Sequence, residues 1–245
     1  VPTLPADEDG LTRAIVALAS EYRRYGYRRV TALLQAGGWR VGEDRVQRIW
    51  HREGLKVPSR QRPRSRLWPN DGSCVRLRPL HRNQVWSFDF VHAQTHDGRS
   101  LRILTRLDEH NRTCLALKVA RRINGLGVIE ALADAMCLHG IPEHIRCDNG
   151  PEMISKARRK WAAKTGPQIQ YIAPRSRWEN GYCEIFNGKL RDECLTQEIF
   201  HSLKEGKIVI GLWQNTYNRV RPHSSLGSQP PAPPPSRIWP SGYPG

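Results

Sequence analysis

Apolar residues recur at helical spacing in the first quarter of the chain. Val30, Leu33 and Leu34 form one group, and Val46, Ile49 and Trp50 form a second after the break at Gly37, Gly38 and Trp39. The pattern predicts two short helices joined by a turn between residues 21 and 55. The second helix carries Arg45, Gln47, Arg48, His51 and Arg52 on its polar side. A helix, a glycine-containing turn and a second helix with a basic face read as a helix-turn-helix-like module. Many helical hairpins bind nothing, so this pattern alone does not fix a partner.

Past residue 85 the period changes to two. Strands are predicted at 85–92, 101–107 and 113–119, separated by the turn residues His96, Asp97, Gly98 and Glu109, His110, Asn111. An antiparallel meander is the simplest arrangement. In its first strand Trp86, Phe88 and Phe90 share one face, while Ser87, Asp89 and Val91 share the other. Helical spacing returns at 126–138, followed by a strand at 144–147, a helix at 154–163, a strand at 168–172 and helices at 179–194 and 203–218. The alternation predicts an α/β fold. Four segments result: a helical module at 1–57, a linker at 58–84 punctuated by Pro58, Pro63, Pro69 and Pro79, a main domain at 85–226, and a proline-rich tail at 227–245 expected to be disordered.

Charge changes this picture. Lys and Arg number 39 against 23 Asp and Glu, a formal charge of +16, so a polyanion is the natural partner. Around the linker, Lys56, Arg60, Arg62, Arg64, Arg66, Arg76, Arg78 and Arg82 face only Asp71. Such a strip suits a phosphate backbone, and it is equally a composition that stays solvated until DNA orders it. The six cysteines, at 74, 114, 137, 147, 183 and 194, contain no CxxC pair, which argues against a zinc knuckle or disulfide framework. No apolar run approaches the roughly 20 residues a membrane helix needs. The expectation is a soluble protein of the cytoplasm, associated with the nucleoid, with no membrane partner.

Three carboxylates stand out. Asp89 lies within a predicted strand, where a charge needs a reason. Asp148 ends the strand at 144–147 and is followed by Asn149 and Gly150, which would present it at the carboxyl end of a sheet, where ligands of open α/β sheets gather. Glu184 lies on a predicted helix whose Asn180, Glu184, Asn187 and Arg191 share one face, while Cys183, Phe186, Leu190 and Cys194 occupy the buried one. Taken singly, each has an ordinary explanation: an edge-strand aspartate, a turn, a solvated glutamate. Together they supply hard oxygen ligands able to hold two divalent cations, magnesium first and manganese as a substitute.

The spacing and surrounding motifs resemble a known family. Between Asp148 and Glu184 lie 35 residues, the separation typical of the acidic triad of insertion-sequence transposases and retroviral integrases. More specifically, Arg146-Cys147-Asp148-Asn149-Gly150-Pro151-Glu152, Glu179-Asn180-Gly181-Tyr182-Cys183-Glu184 with Phe186-Asn187-Gly188, and Tyr217-Asn218 with Arg221-Pro222-His223-Ser224-Ser225-Leu226 resemble the insertion-sequence-three family. The likeness runs from about Arg24 to Leu226 and includes Tyr25-Gly26-Tyr27-Arg28-Arg29. It departs at Arg175-Ser176-Arg177, where the family often has Gly-Ser-Pro, and at Met153, where Phe is common.

The resemblance implies a ribonuclease-H-like integrase core, a mixed sheet flanked by helices. It implies a metal-dependent polynucleotidyl transferase that cleaves DNA at the ends of an insertion sequence and transfers the freed strands. Asp89, Asp148 and Glu184 would be both catalytic residues and metal ligands. DNA contacts are expected from Arg45, Arg48, Arg62, Arg64 and Arg66, and from Asn180, Asn187, Lys189 and Arg191 on the face of the Glu184 helix. The partners implied are terminal-repeat and target DNA and a second copy in a homodimer or larger synaptic complex, with room for a helix-turn-helix partner from an upstream reading frame. Glu152 reads as a carboxylate favoured at a helix amino terminus, and His223 as a structural or phosphate-contacting residue. Two other classes stay open at this point: a catalytically silent DNA-binding regulator, and a nuclease of the same fold that hydrolyses without joining.

Overall fold

The computed structural model describes residues 7–58, 78–147, 165–171 and 180–232. The chain divides into two compact units, Val1–Asp71 with Val220–Gly245, and Gly72–Arg219.

In the first unit α1 (Glu8–Glu21), α2 (Tyr27–Ala36) and α3 (Glu43–Arg52) surround a core of Leu11, Ile15, Val30, Leu33, Leu34, Val46, Ile49 and Trp50. The two expected helices are α2 and α3. The sequence reading missed α1, although Leu11, Ala14, Ile15 and Leu18 carry the i, i+3, i+4, i+7 spacing of a buried helical face. Positive φ at Gly38 (93°) and Gly54 (65°) lets the chain turn back after α2 and α3. Trp39 N–H then donates to the Leu34 carbonyl and Leu55 N–H to the Trp50 carbonyl, each at 3.0 Å, a conformation that side chains with a Cβ adopt only at a cost.

A buried carboxylate ties α1 to α3. Glu8 is 3 % exposed and receives Arg45 at 2.9 Å, Arg52 at 3.1 Å and Arg48 at 3.2 Å. The Arg45 hydrogen bond above all, then the charges of Arg48, Arg45 and Arg52, outweigh burial and hold the Glu8 carboxyl below its ordinary 4.5. A carboxyl depressed in the folded state contributes stability that is complete above its unfolded value and is lost as pH falls through the depressed one. Glu8→Gln should therefore lower stability in urea unfolding at pH 7, and its difference from the parent should shrink below about pH 4. A gap independent of pH would refute the ionic role.

By its contacts the described chain after Arg219 groups with this unit. The reason lies in burial: Arg221 is 1 % exposed and its guanidinium lies 5.8 Å from the Tyr25 ring centroid. His223 is buried within a tight turn, its carbonyl accepting from Leu226 and Ser228 N–H at 2.9 and 2.8 Å, which fits a structural role.

The second unit is built on a five-stranded mixed sheet ordered β3-β2-β1-β4-β5. Its strands are β1 (Val85–Gln94), β2 (Ser100–Asp108), β3 (Cys114–Ala120), β4 (His144–Cys147) and β5 (Gln168–Tyr171). The first three form the antiparallel meander, and β4 and β5 add in parallel beside β1. Period-two alternation divides β1 as expected. Trp86, Phe88 and Phe90 pack with Leu104, Val128, Leu132 and Ala135 beneath α4 (Gly125–His139), while Val91 packs on the other face with Ile103, Leu190 and Ile210. The Asn124 side chain caps α4 by accepting from Gly127 N–H at 2.9 Å.

The second face is covered by α5 (Gly181–Leu190) and α6 (Leu203–Arg219). The helix expected over 179–194 is not uniform: its last turn, Arg191–Leu195, is a π-helix, with Thr196 N–H donating five residues back to the Arg191 carbonyl at 2.9 Å. The helix expected at 154–163 lies outside the described residues. Among the described residues no helix is long and apolar enough to cross a membrane.

Candidate active site

Asp89 lies in the middle of β1, the central strand, on the face toward α5, and is half-buried. Its Oδ1 accepts from the Phe90 N–H at 2.7 Å and its Oδ2 from the Asn187 side-chain N–H at 2.9 Å. Thr105, directly opposite Asp89 on β2, places its hydroxyl 3.1 Å from the Asp89 carbonyl and 3.0 Å from Asn187 Oδ1. One hydroxyl proton serves one acceptor at a time, so Thr105 bonds either the Asp89 carbonyl or Asn187 Oδ1. The aspartate is thus anchored to α5 through a buried amide.

Glu184 occupies the first turn of α5 and is half-buried. Its carboxylate makes no hydrogen bond or ion pair with another described residue. Asp148 follows directly after Cys147 at the end of β4 and lies outside the described residues, as do Glu152, Met153 and Arg175 to Arg177. Among the described residues no group of three metal-ligating side chains gathers. Asp89 on β1 and Glu184 on α5 are carried by two elements joined through the Asn187–Asp89 hydrogen bond.

Two of the residues expected on DNA are instead inside the fold. Asn180 and Asn187 are each 4 % exposed. The helical wheel set them beside Glu184, but α5 packs so closely that Asn187 lies with Cys183, Phe186 and Leu190 on the buried side. Its polarity serves Asp89 and Thr105. Arg191 is exposed, and Lys189 is half-buried with Nζ 5.9 Å from the Tyr217 ring centroid. In the helical unit, Arg45 is committed to Asp7 and Glu8, whereas Arg48 keeps 60 % of its side chain exposed while touching Glu8. Arg62, Arg64 and Arg66 lie outside the described residues.

The sequence reading missed Thr105 and the role of Asn187. Nothing in the local pattern marks them, because their significance comes from the β1–β2 register and from α5 lying over it. The five described cysteines are free thiols. Burial first, then the nearby Asp89 charge, pushes the Cys183 thiol well above its ordinary value, and burial pushes Cys194 to about 12. Both are neutral at pH 7 and fill space in the packed interior, Cys183 beside Thr105 and Cys194 among apolar residues, rather than acting as nucleophiles.

Asn187→Ala is expected to slow DNA cleavage roughly ten- to hundredfold, the worth of a hydrogen bond to a charged group. DNA affinity measured by titration should be unchanged. Weakened binding with normal turnover at saturating DNA would restore Asn187 to the DNA interface.

Comparison with known proteins agrees with this architecture. A family model described as an integrase core domain matches residues 79–177, a second of that description matches 165–231, and one described as an HTH-like domain matches 6–63. An uncharacterized 39.2 kDa protein of insertion element IS476 from Xanthomonas euvesicatoria is 37% identical over 95% of this chain, which spans 66% of that protein's length. An uncharacterized 31.7 kDa protein of insertion element IS407 from Burkholderia multivorans is 35% identical, with 92% of this chain and 80% of that protein covered. Among solved structures, a simian T-cell lymphotropic virus intasome in complex with a PP2A regulatory subunit matches with a TM-score of 0.54 at 19% identity, covering 94% of this chain and 80% of that one. That likeness is one of fold. The chain belongs to the insertion-sequence-three family of transposases, DNA-cleaving and strand-transferring proteins that combine a helix-turn-helix-like module with an integrase core of the DDE superfamily.

Proposed function

We propose that this chain cleaves DNA at the ends of an insertion sequence and joins the freed strands to target DNA, with Asp89, Asp148 and Glu184 as its catalytic, metal-holding residues. The observation that carries this reading is the anchoring of Asp89, through Asn187, to the helix that carries Glu184. The parallel pairing that sets Ser87 opposite Arg146 supports Asp148 as the third member, since in sequence Asp89 follows Ser87 by two residues and Asp148 follows Arg146 by two.

The donor set is oxygen only, which suits Mg²⁺ or Mn²⁺ and disfavours softer metals. Divalent cations held there would supply activation of the attacking hydroxyl and neutralise charge on the entering and leaving oxygens of an in-line displacement. The protein's own part is orientation. Asn187 and the Phe90 N–H fix both oxygens of Asp89, and Glu184 is carried on the same helix as Asn187. The net charge of +16 and the exposed side of Arg48 favour a DNA backbone as partner. Aligning two DNA ends calls for a dimer or larger assembly.

The test incubates the purified chain with labelled terminal-repeat DNA and Mg²⁺ or Mn²⁺. Metal-dependent nicks followed by joined products are expected. Nicks without joining would identify a nuclease, and binding without nicks a regulator.

A further inference from the structure

We propose that the turn between β2 and β3 is a clamp that positions Glu184, with Arg112 as its positioning residue and Tyr182 as the surface it grips. The inference rests on the catalytic reading above. Asp108, at the end of β2, is fully buried and accepts from Asn83 N–H at 2.8 Å and His110 N–H at 2.9 Å, while Arg112 N–H donates to its carbonyl at 3.0 Å. The turn is thereby rigid at its base. Arg112 sits at φ 65°, a left-handed conformation that a residue with a Cβ keeps only when its surroundings impose it. From there its guanidinium donates to the Glu109 carbonyl and lies 3.4 Å from the centroid of the Tyr182 ring. Tyr182 is in the first turn of α5, two residues before Glu184.

The other end of the turn reaches β4. Glu109 Oε2 accepts from Arg146 Nη1 at 2.6 Å in a pair whose side chains are 0 % and 5 % exposed. Arg146 lies two residues before Asp148. One turn therefore holds both the strand that leads to the second carboxylate and the helix that carries the third, independently of the Asn187 bond to Asp89. A buried ion pair is a weak source of net stability, because desolvation offsets most of its attraction. Its geometric specificity is what this arrangement uses.

The experiment compares the full chain with Arg112→Ala, Tyr182→Ala and Tyr182→Phe. Hydrogen exchange of residues 181–186 is measured without metal, and Mn²⁺ affinity without DNA by the paramagnetic resonance of the free ion. Arg112→Ala and Tyr182→Ala should speed exchange and weaken Mn²⁺ binding by about tenfold each, the scale of a partly desolvated cation–π contact. Tyr182→Phe, which keeps the ring face, should restore both. Unchanged exchange in Arg112→Ala overturns the clamp. Faster exchange with parental Mn²⁺ affinity also overturns it, because the contact would then be merely structural. Failure of the parental chain to bind Mn²⁺, or equal binding by Asp89→Ala, would instead overturn the catalytic reading itself.

Discussion

Asp148→Ala should abolish metal-dependent nicking of terminal-repeat DNA by about three orders of magnitude, and Asp89→Asn and Glu184→Gln should do the same. Each removes oxygen ligation and one negative charge from the site proposed to hold cations against a phosphodiester. A loss of several kcal/mol of charge stabilisation, roughly 4 kcal/mol, corresponds to about a thousandfold in rate. DNA affinity should not fall, because no cationic contact is lost, and in metal-free buffer removing an anion beside the backbone should tighten binding slightly. The measurement pairs single-turnover nicking with titration of the same DNA. Nicking by Asp148→Ala at the parental rate would remove Asp148 from the mechanism. Loss of binding together with nicking in all three variants would mean that they had damaged the fold instead.

The second large effect is on stability. Phe186→Ala should lower the unfolding free energy by about 3–5 kcal/mol, the usual cost of deleting a buried aromatic side chain together with the cavity it leaves. Phe186 is 1 % exposed and meets Tyr217 edge-on at 4.8 Å and Trp213 at 5.4 Å. It joins α5 to α6, while its neighbours Cys183 and Asn187 join α5 to the sheet. For a unit of this size the corresponding fall in Tm is roughly 6–20 °C. Calorimetry reads it directly, and a shift under about 2 °C would show that α5 is held by the sheet alone. Cleavage should fail with the helix, since Glu184 and Asn187 both ride on it.

Much of this was legible without coordinates. Period-two alternation in residues 85 to 91 divides Trp86, Phe88 and Phe90 from Ser87, Asp89 and Val91, and the two sets pack on opposite faces of β1 as that alternation requires. The strand at 144–147 has the expected bounds. These features depend on side-chain direction along one strand, which local geometry sets. The first helix was equally legible, since Leu11, Ala14, Ile15 and Leu18 carry its spacing.

Other features were beyond any local pattern. A helical wheel orders Asn180, Glu184, Asn187 and Arg191 around an axis, but how far the buried arc extends depends on how deeply neighbouring elements enclose the helix. Only the packing of α5 on β1 and β2 turned Asn187 inward to Asp89 and left Arg191 outside. Arg45 reads from sequence as a cation offered to DNA, and the fold gives it Asp7 and Glu8, 38 and 37 residues away in the chain.

The sequence by itself determined the class of the fold and the family and singled out three acidic residues as candidates, because periodicity, motif and spacing are properties of the chain. Tertiary structure alone decided which polar residues serve the carboxylates: Thr105 by the register that sets it opposite Asp89, Asn187 by the seating of α5, and Glu109 by the approach of Arg146. Hydrogen bonds reach about 3 Å, and only folding brings residues 82 or 98 positions apart within that distance.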